Sequence, residues 1–427
     1  MKSAHSVSYH RPFPGCHLWL SAIVILLSTF GVMRAGAQPD PSGIDFVTIG
    51  APGNAPNLSA NPNDFVHNRG GVGYEYRIGR MEVTTAQFVE FFNAAFDRPE
   101  DDQLPHLIPP DFWGAVGTTP NTSGAQRWAV PVGNELMPVG NISWRMAAMY
   151  TNWLHNDKSA DRSAFLSGAY DVSTFGFSGN VFTDQMAHSP GARYWIPTWD
   201  EWLKASHFDP NRNGTGGWWQ YSNGSDTPYV YGPPGVLVNG MPTQANAGWD
   251  DRDFPGFNPF GVPLGSYASI SQSPWGLYDV AGGSTEWTES IRTLNDGRRY
   301  RIFDGSYRSE DAFSAFLDDD TSSAGAEFPH VSSFEFGLRV ATVIPSPASG
   351  AVGVGAFILL SARRRRVSAP TGREYHTFTA SPANTRATEV RALVPPRLGR
   401  APAPSWVGYH PFIGTVSRCS SAQSFAS

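Results

Sequence analysis

The sequence predicts an irregular, loop-rich α+β fold in a single large domain. Three observations carry that expectation. Few segments show helical spacing behind an N-cap signal, the apolar runs between them are short and alternating, and 44 Gly and 35 Pro break the chain into turns throughout. A parallel sheet of βαβ units would need helices recurring regularly between strands, and they do not recur here. With 41% hydrophobic residues, 13% aromatic residues and 14 Trp, the middle of the 427-residue chain can bury a sizeable core.

The elements follow in order. Asp45-Phe46-Val47-Thr48-Ile49-Gly50 alternates as a strand and runs into a Pro/Asn/Gly-rich loop. Tyr74 to Val83 alternates again and leads directly into a helix, where Thr84 and Gln87 form a capping box and Phe88, Phe91, Phe92 and Ala95 share one face. After a Pro-rich loop, Ser143 caps a second helix with Trp144, Ala147, Ala148, Thr151 and Leu154 on one side. Residues Asp157 to Ala192 read as loops and a short hairpin. Arg193 to Pro197 is a short strand feeding a third helix, opened by a Thr198/Glu201 capping box. Beyond His207, Gly, Asn and Asp dominate until a central stretch, Gly276 to Trp287. Tyr300 to Arg308 then reads as a strand and turn, Asp318-Asp319-Asp320 as an acidic run, and Phe334 to Ala341 as a final strand.

The ends differ from this body. An apolar run from Leu18 to Met33 follows Lys2 and Arg11 and precedes Ala35-Gly36-Ala37, the pattern of a secretory signal peptide cut near Ala37; an uncleaved anchor or a mis-called start codon are the other readings. After Ile344-Pro345-Ser346-Pro347 comes an apolar stretch, Ala351 to Leu360, and then Arg363-Arg364-Arg365-Arg366. The stretch is short for a spanning helix of roughly 20 residues, but the basic stop favours a membrane-inserted, positive-inside segment. It resembles the PEP-CTERM sorting signal of exported bacterial proteins, with Pro-Ser-Pro where Pro-Glu-Pro is usual and with a Pro-, Ser- and Arg-rich tail beyond the arginines that reads as disordered. The expected organisation is therefore signal peptide 1–37, folded domain 38–343, sorting or transmembrane segment 344–366 and basic tail 367–427.

The net charge is −6, with most acids in the body of the chain, which makes it a poor nucleic-acid partner. Its two cysteines, Cys16 and Cys419, lie outside the expected domain, so neither a disulfide framework nor thiolate chemistry is available within it. The stretch Gly276 to Trp287 combines Gly276, Gly282 and Gly283 with Asp279, Glu286 and Trp287; it reads as loop packing or as a loop that offers oxygen ligands to a metal.

Several segments, taken in order, resemble the formylglycine-generating enzyme or sulfatase-modifying factor family. They are Arg77 to Thr84, Pro138 to Trp144, Tyr194 to Trp202, Gly276 to Trp287, Asp304-Gly305-Ser306-Tyr307 and Phe336 to Val340. The resemblance implies a C-type-lectin-like fold. Catalytic members carry two copper(I)-binding cysteines just after the Gly-Ser-aromatic turn, and Ser309 and Ser314 stand in their places. A serine hydroxyl is too hard and too weakly acidic to act as a soft copper ligand, so no copper is expected and no catalytic residue is assigned. The iron-dependent branch needs clustered histidines, whereas His67, His106, His155, His188, His207 and His330 are scattered, so no iron is expected either. The resemblance further implies structural calcium near Asn246, Ala247, Gly283 and Glu286, although Gly283 stands where the family has asparagine. Asp250, Asp251 and Asp253 flank that region; a solvated acidic loop is the alternative.

Two functional classes remain. One is a binding or structural domain at the cell surface, with membrane contact through the C-terminal segment. Its groove for a peptide or glycan would be lined by Trp218, Trp219, Tyr221, Tyr229, Tyr231 and Trp249, residues that plain loop packing would equally place. The other is a metal-dependent enzyme of the same superfamily with a non-thiol site.

Overall fold

The computed structural model describes residues 39–345, apart from 60–61, 63–64, 119–126, 247–253 and 306–324. The signal-peptide and tail segments, and the sorting segment from Ser346 onward, lie outside the described residues. So do Ala247, Trp249, Asp250, Asp251, Asp253, Tyr307, Ser309, Ser314 and the Asp318 to Asp320 run.

Along the chain come strands Phe46–Ile49 (β1) and Tyr76–Gly79 (β2), helix Thr85–Phe96 (α1), the hairpin Val116–Gly117 and Trp128–Ala129 (β3, β4), and helices Trp144–His155 (α2) and Arg162–Leu166 (α3). Next are the hairpin Phe177–Ser178 and Val181–Phe182 (β5, β6), strand Tyr194–Trp195 (β7) and helix Trp199–His207 (α4). Two further hairpins follow, Phe208–Asp209 with Gly217–Trp218 (β8, β9) and Leu237–Val238 with Met241–Pro242 (β10, β11). The chain closes with Thr285–Thr293 (β12), Arg299–Asp304 (β13), Gly325–Glu327 (β14), Phe336–Gly337 (β15) and Ala341–Thr342 (β16). No helix among the described residues is long and apolar enough to cross a membrane.

The capping signals set the helix starts. Thr84 accepts from the Gln87 amide while the Gln87 side chain accepts from the Thr84 amide, and the same reciprocal pair links Thr198 and Glu201. Satisfying two orphan donors at each start fixes where helix begins. α1 buries Phe88, Phe91, Phe92 and Ala95. Its rings pack on α2, with Phe91 at 5.3 Å from Tyr150 and 5.7 Å from Trp153. α2 departs from the one-sided face expected of it, being buried from Trp144 through Leu154. Its strongly polar members Arg145, Thr151 and Asn152 survive there because they are matched. Arg145 holds Asp184 through two bonds, at 2.8 and 2.7 Å, and Asn152 bonds both the carbonyl and the amide of Tyr170.

Two sheets have four strands each, in the orders β1-β2-β16-β7 and β14-β13-β12-β15. The first joins the two ends of the domain, pairing Ile78 with Val47 on one side and Ala341 on the other. In the second, β12 runs antiparallel to β13 and parallel to β15. The single closing strand expected over Phe334 to Ala341 is in fact split, because the chain leaves one sheet at Gly337 and joins the other at Ala341.

Candidate functional site

The central stretch is where these parts meet. Glu286 lies on β12, fully buried, and its carboxylate accepts from Arg339 Nε at 3.1 and 3.0 Å, from Arg339 Nη2 at 2.8 Å and from Trp202 Nε1 at 2.7 Å. The remaining donors of Arg339 go to the carbonyls of Gly79, Arg80 and Tyr278, so every guanidinium N–H is matched. Burial alone would lower the Arg339 pKa, but Glu286 beside it raises it. Glu82, at the end of the early strand-to-helix segment, completes the knot. Its oxygens accept from the Ser284 amide at 3.0 and 3.2 Å and from the Ser284 hydroxyl at 2.6 Å. Burial, with Glu286 close by, pushes the Glu82 pKa up to about 8. Asp304, paired with Glu286 across the ladder, is pushed up to about 7 by burial, although the Trp199 indole and the Gly305 amide donate to it.

This geometry revises the metal expectation. Glu286 is an ion-pair partner, and a calcium ion on its oxygens would have to displace a buried guanidinium of the same sign; the described residues do not fit calcium there. Asn246 does come to Gly283, but as a bridge, accepting from the Gly283 amide at 3.2 Å and donating to the Pro259 carbonyl at 3.1 Å. Gly283 is required for a different reason. It sits at φ +65°, and a Cβ there would lie 2.1 Å from Glu82 Oε1. Gly283→Ala is therefore expected to lower the thermal midpoint, at a cost of about 1–3 kcal/mol for the strained backbone and displaced carboxyl. An unchanged melt would contradict this.

The histidines have separate local roles. The His188 ring and amide both bond Glu289, which also accepts from Tyr170, while His155 accepts from the Arg193 amide and His207 faces the Trp219 carbonyl. The aromatic groove expectation divides. Trp218 donates to the Ala55 carbonyl and packs on Phe208, Trp219 donates to Asp209 beneath the Arg212 guanidinium, and Tyr221 is buried. Of that set, Tyr229 and Tyr231 line a cavity.

A different cleft, of about 350 Å³, was not singled out by the sequence reading. Asp111, Phe112, Trp113, Asn134, Met137 and Phe260 line it. Its walls are bonded together: Gly140 N–H donates to the Phe112 carbonyl, Gly114 N–H to Thr85 Oγ1, the Asn134 side chain to the Gly114 carbonyl and Leu264 N–H to the Leu136 carbonyl. Phe112 is 40% exposed and packs against Phe260 and Phe334 at 5.7 and 5.5 Å. Asp111 is exposed and accepts from Asn141 at 3.1 Å, with no ion-pair partner among the described residues. No Lys or Arg is among the described residues that line the cleft. An aromatic pair beside an acid in a base-free loop was the signal available in the sequence.

The family model for the sulfatase-modifying factor enzyme 1-like domain matches residues 48–344. The chain belongs to this family. Solved structures similar to this sulfatase-modifying-factor-type domain include CarF, with 18% identity over 71% of this chain and 100% of that one at a TM-score of 0.40. Treponema denticola variable protein 1 is similar at 17% identity, over 70% and 95% of the two chains, with a TM-score of 0.42. PvdO from Pseudomonas aeruginosa is similar at 13%, over 71% and 95%, with a TM-score of 0.38. No curated protein matches the chain. Mixed helices and sheets, open sheet edges and long loops in one sulfatase-modifying-factor-type domain agree with the fold class expected above.

Proposed function

We propose that this sulfatase-modifying-factor-type domain is an exported binding domain, non-catalytic for formylglycine formation, that holds a partner polypeptide at the cell surface by a basic side chain. The observation that carries the binding reading is the cleft at Phe112: aromatic rings, one exposed carboxylate, and no lysine or arginine among the described residues that line it. A cation over aromatic faces within reach of a carboxylate gains from both, by about 0.5–2 kcal/mol for the ring contribution. The non-catalytic reading is supported by donor chemistry. Ser309 and Ser314 take the place of the copper-binding cysteines, and Cys16 and Cys419 lie outside the matched residues. Copper chemistry of that kind has no thiolate to rest on.

One peptide tests both halves. Incubated with the full chain and copper, a Cys-x-Pro-x-Arg peptide is expected to keep its thiol by mass spectrometry, yet to bind saturably through its arginine. Asp111→Asn and Phe112→Ala, both exposed positions, are expected to weaken that binding about tenfold each. Conversion of the cysteine to an aldehyde would overturn the non-catalytic reading; binding unchanged in both variants would remove the cleft from the proposal. For localisation, recovery of the intact precursor in the cytosol would count against export.

A further inference from the structure

A buried arginine with donors to spare lies at the start of α2. Arg145 is 5% exposed. Its Nε donates to Asp184 Oδ2 at 2.8 Å, and its Nη2 donates to Asp184 Oδ1 at 2.7 Å and to the Gly176 carbonyl at 3.1 Å. A guanidinium carries five N–H groups in a fixed fork, and these bonds leave both of those on Nη1 over. Nη1 has no hydrogen bond among the described residues, and it is not sealed from solvent. Arg339, by contrast, matches every N–H it has.

The surroundings hold Arg145 in one place. Phe175 and Phe177 lie against the guanidinium, with ring centroids 5.5 and 5.4 Å from its central carbon. Gly176, between them, gives its amide to Asp184 Oδ1 at 3.1 Å as well as its carbonyl to Nη2, so both rings are tied to the ion pair. Each ring in turn carries a histidine. His106 stands 5.6 Å from Phe175, and His330 stands edge-on to Phe177 at 5.1 Å. The His330 segment is anchored to the same residue, because the Arg145 amide donates to the Pro329 carbonyl at 3.1 Å. Neither imidazole has a hydrogen-bond partner among the described residues.

Charge selects the ligand. Asp184 cancels the Arg145 charge, so positive charge for an anion has to come from the imidazoles. Arg145 and Asp184 face both rings, and Glu327 on β14 also faces His330. Partial burial, and the Arg145 charge after it, hold both rings below the ordinary histidine value. Arg145, Asp184 and the two rings therefore carry no net charge together near neutral pH, and an arriving anion draws protons onto the rings. A carboxylate has oxygens for two of the three donors; a tetrahedral oxyanion has one for each.

We propose that Arg145 Nη1, His106 and His330 together bind a doubly charged tetrahedral oxyanion, a phosphate or sulfate group. The site shares no residue with the cleft at Phe112. The test is calorimetric titration of the full chain with sodium sulfate, against sodium chloride at equal ionic strength, in two buffers of different ionisation enthalpy so that proton uptake is counted. Sulfate is expected to bind saturably with uptake of protons, and about tenfold more tightly near pH 6 than near pH 8.

His106→Asn and His330→Gln are each expected to weaken it about fivefold. Both variants keep the fold, since His106 sits at φ +63°, which asparagine tolerates, and His330 is exposed; matching melts check this. No saturable binding beyond that of chloride, binding without proton uptake, or binding unaffected by both variants would overturn the site. So would acetate competing as well as sulfate, which would make the ligand a carboxylate. Phenyl phosphate bound more tightly than inorganic phosphate would place the group on an ester, and the reverse order would make it a free ion; either order supports a tetrahedral oxyanion site.

Discussion

Arg339→Met is expected to be among the most damaging single changes in the domain, costing about 3–5 kcal/mol and leaving little folded chain at 37 °C. Methionine fills much the same volume, so the loss is electrostatic. It leaves the Glu286 carboxylate buried with one indole donor, and strips the carbonyls of Gly79, Arg80 and Tyr278 of their partner. Those carbonyls belong to the early strand and to the central stretch, so the damage spans segments far apart in sequence. Urea denaturation of the full chain measures the effect. Adding Glu286→Gln to Arg339→Met is expected to recover part of the stability by removing the stranded charge, and a double variant no better than the single one would contradict the ion-pair account.

The second large effect is a fall in stability with rising pH. Glu82 holds its proton up to about 8 when folded, against an ordinary value of 4.5. Between those values the unfolded chain releases the proton and the folded chain keeps it, so raising the pH favours unfolding; above about 8 both states are ionised and the loss is complete. Asp304, at about 7 against 3.8, acts in the same direction. His207 acts oppositely. Burial lowers it to about 4, so its contribution is lost as pH falls from 6.5 through 4. The difference between wild type and Glu82→Gln isolates the first group, since glutamine keeps an acceptor for Ser284 and cannot ionise. The variant is expected to gain on wild type steadily from pH 5 to 8 in denaturation midpoints, and parallel curves would refute the assignment.

What could be read in the sequence was what is decided locally. The Thr84/Gln87 and Thr198/Glu201 boxes and the Ser143 cap place their helices to the residue, because a cap is settled within a few residues. β12 escaped the reading. Its first five residues are all buried, so no alternation marks it, and the glycines just before it read as loop. The short α3 was also missed, being one turn with two buried residues, Ala164 and Phe165. At the site, Glu286 stood out as an acid beside glycines, but its partner was out of reach. Arg339 lies at the far end of the domain and Glu82 in the early strand segment, and sequence spacing cannot show that three such groups meet. The cleft residues were hidden for the same reason, since Phe112 and Phe260 become neighbours only when two loops are folded together.

The strand order of the first sheet also governs when this protein can fold during its own synthesis. β2 has β1 on one side, available early, but its other neighbour is β16, and Arg339 donates to the Gly79 carbonyl across 260 residues. An N-terminal portion emerging from the ribosome therefore has half a sheet, an open edge and no guanidinium to bind Glu286. Closing so long a loop late makes folding slow and leaves the nascent chain extensible until residue 342 has been added. A polypeptide that must be threaded unfolded through a narrow channel before it folds would gain from that delay, and here the topology imposes it.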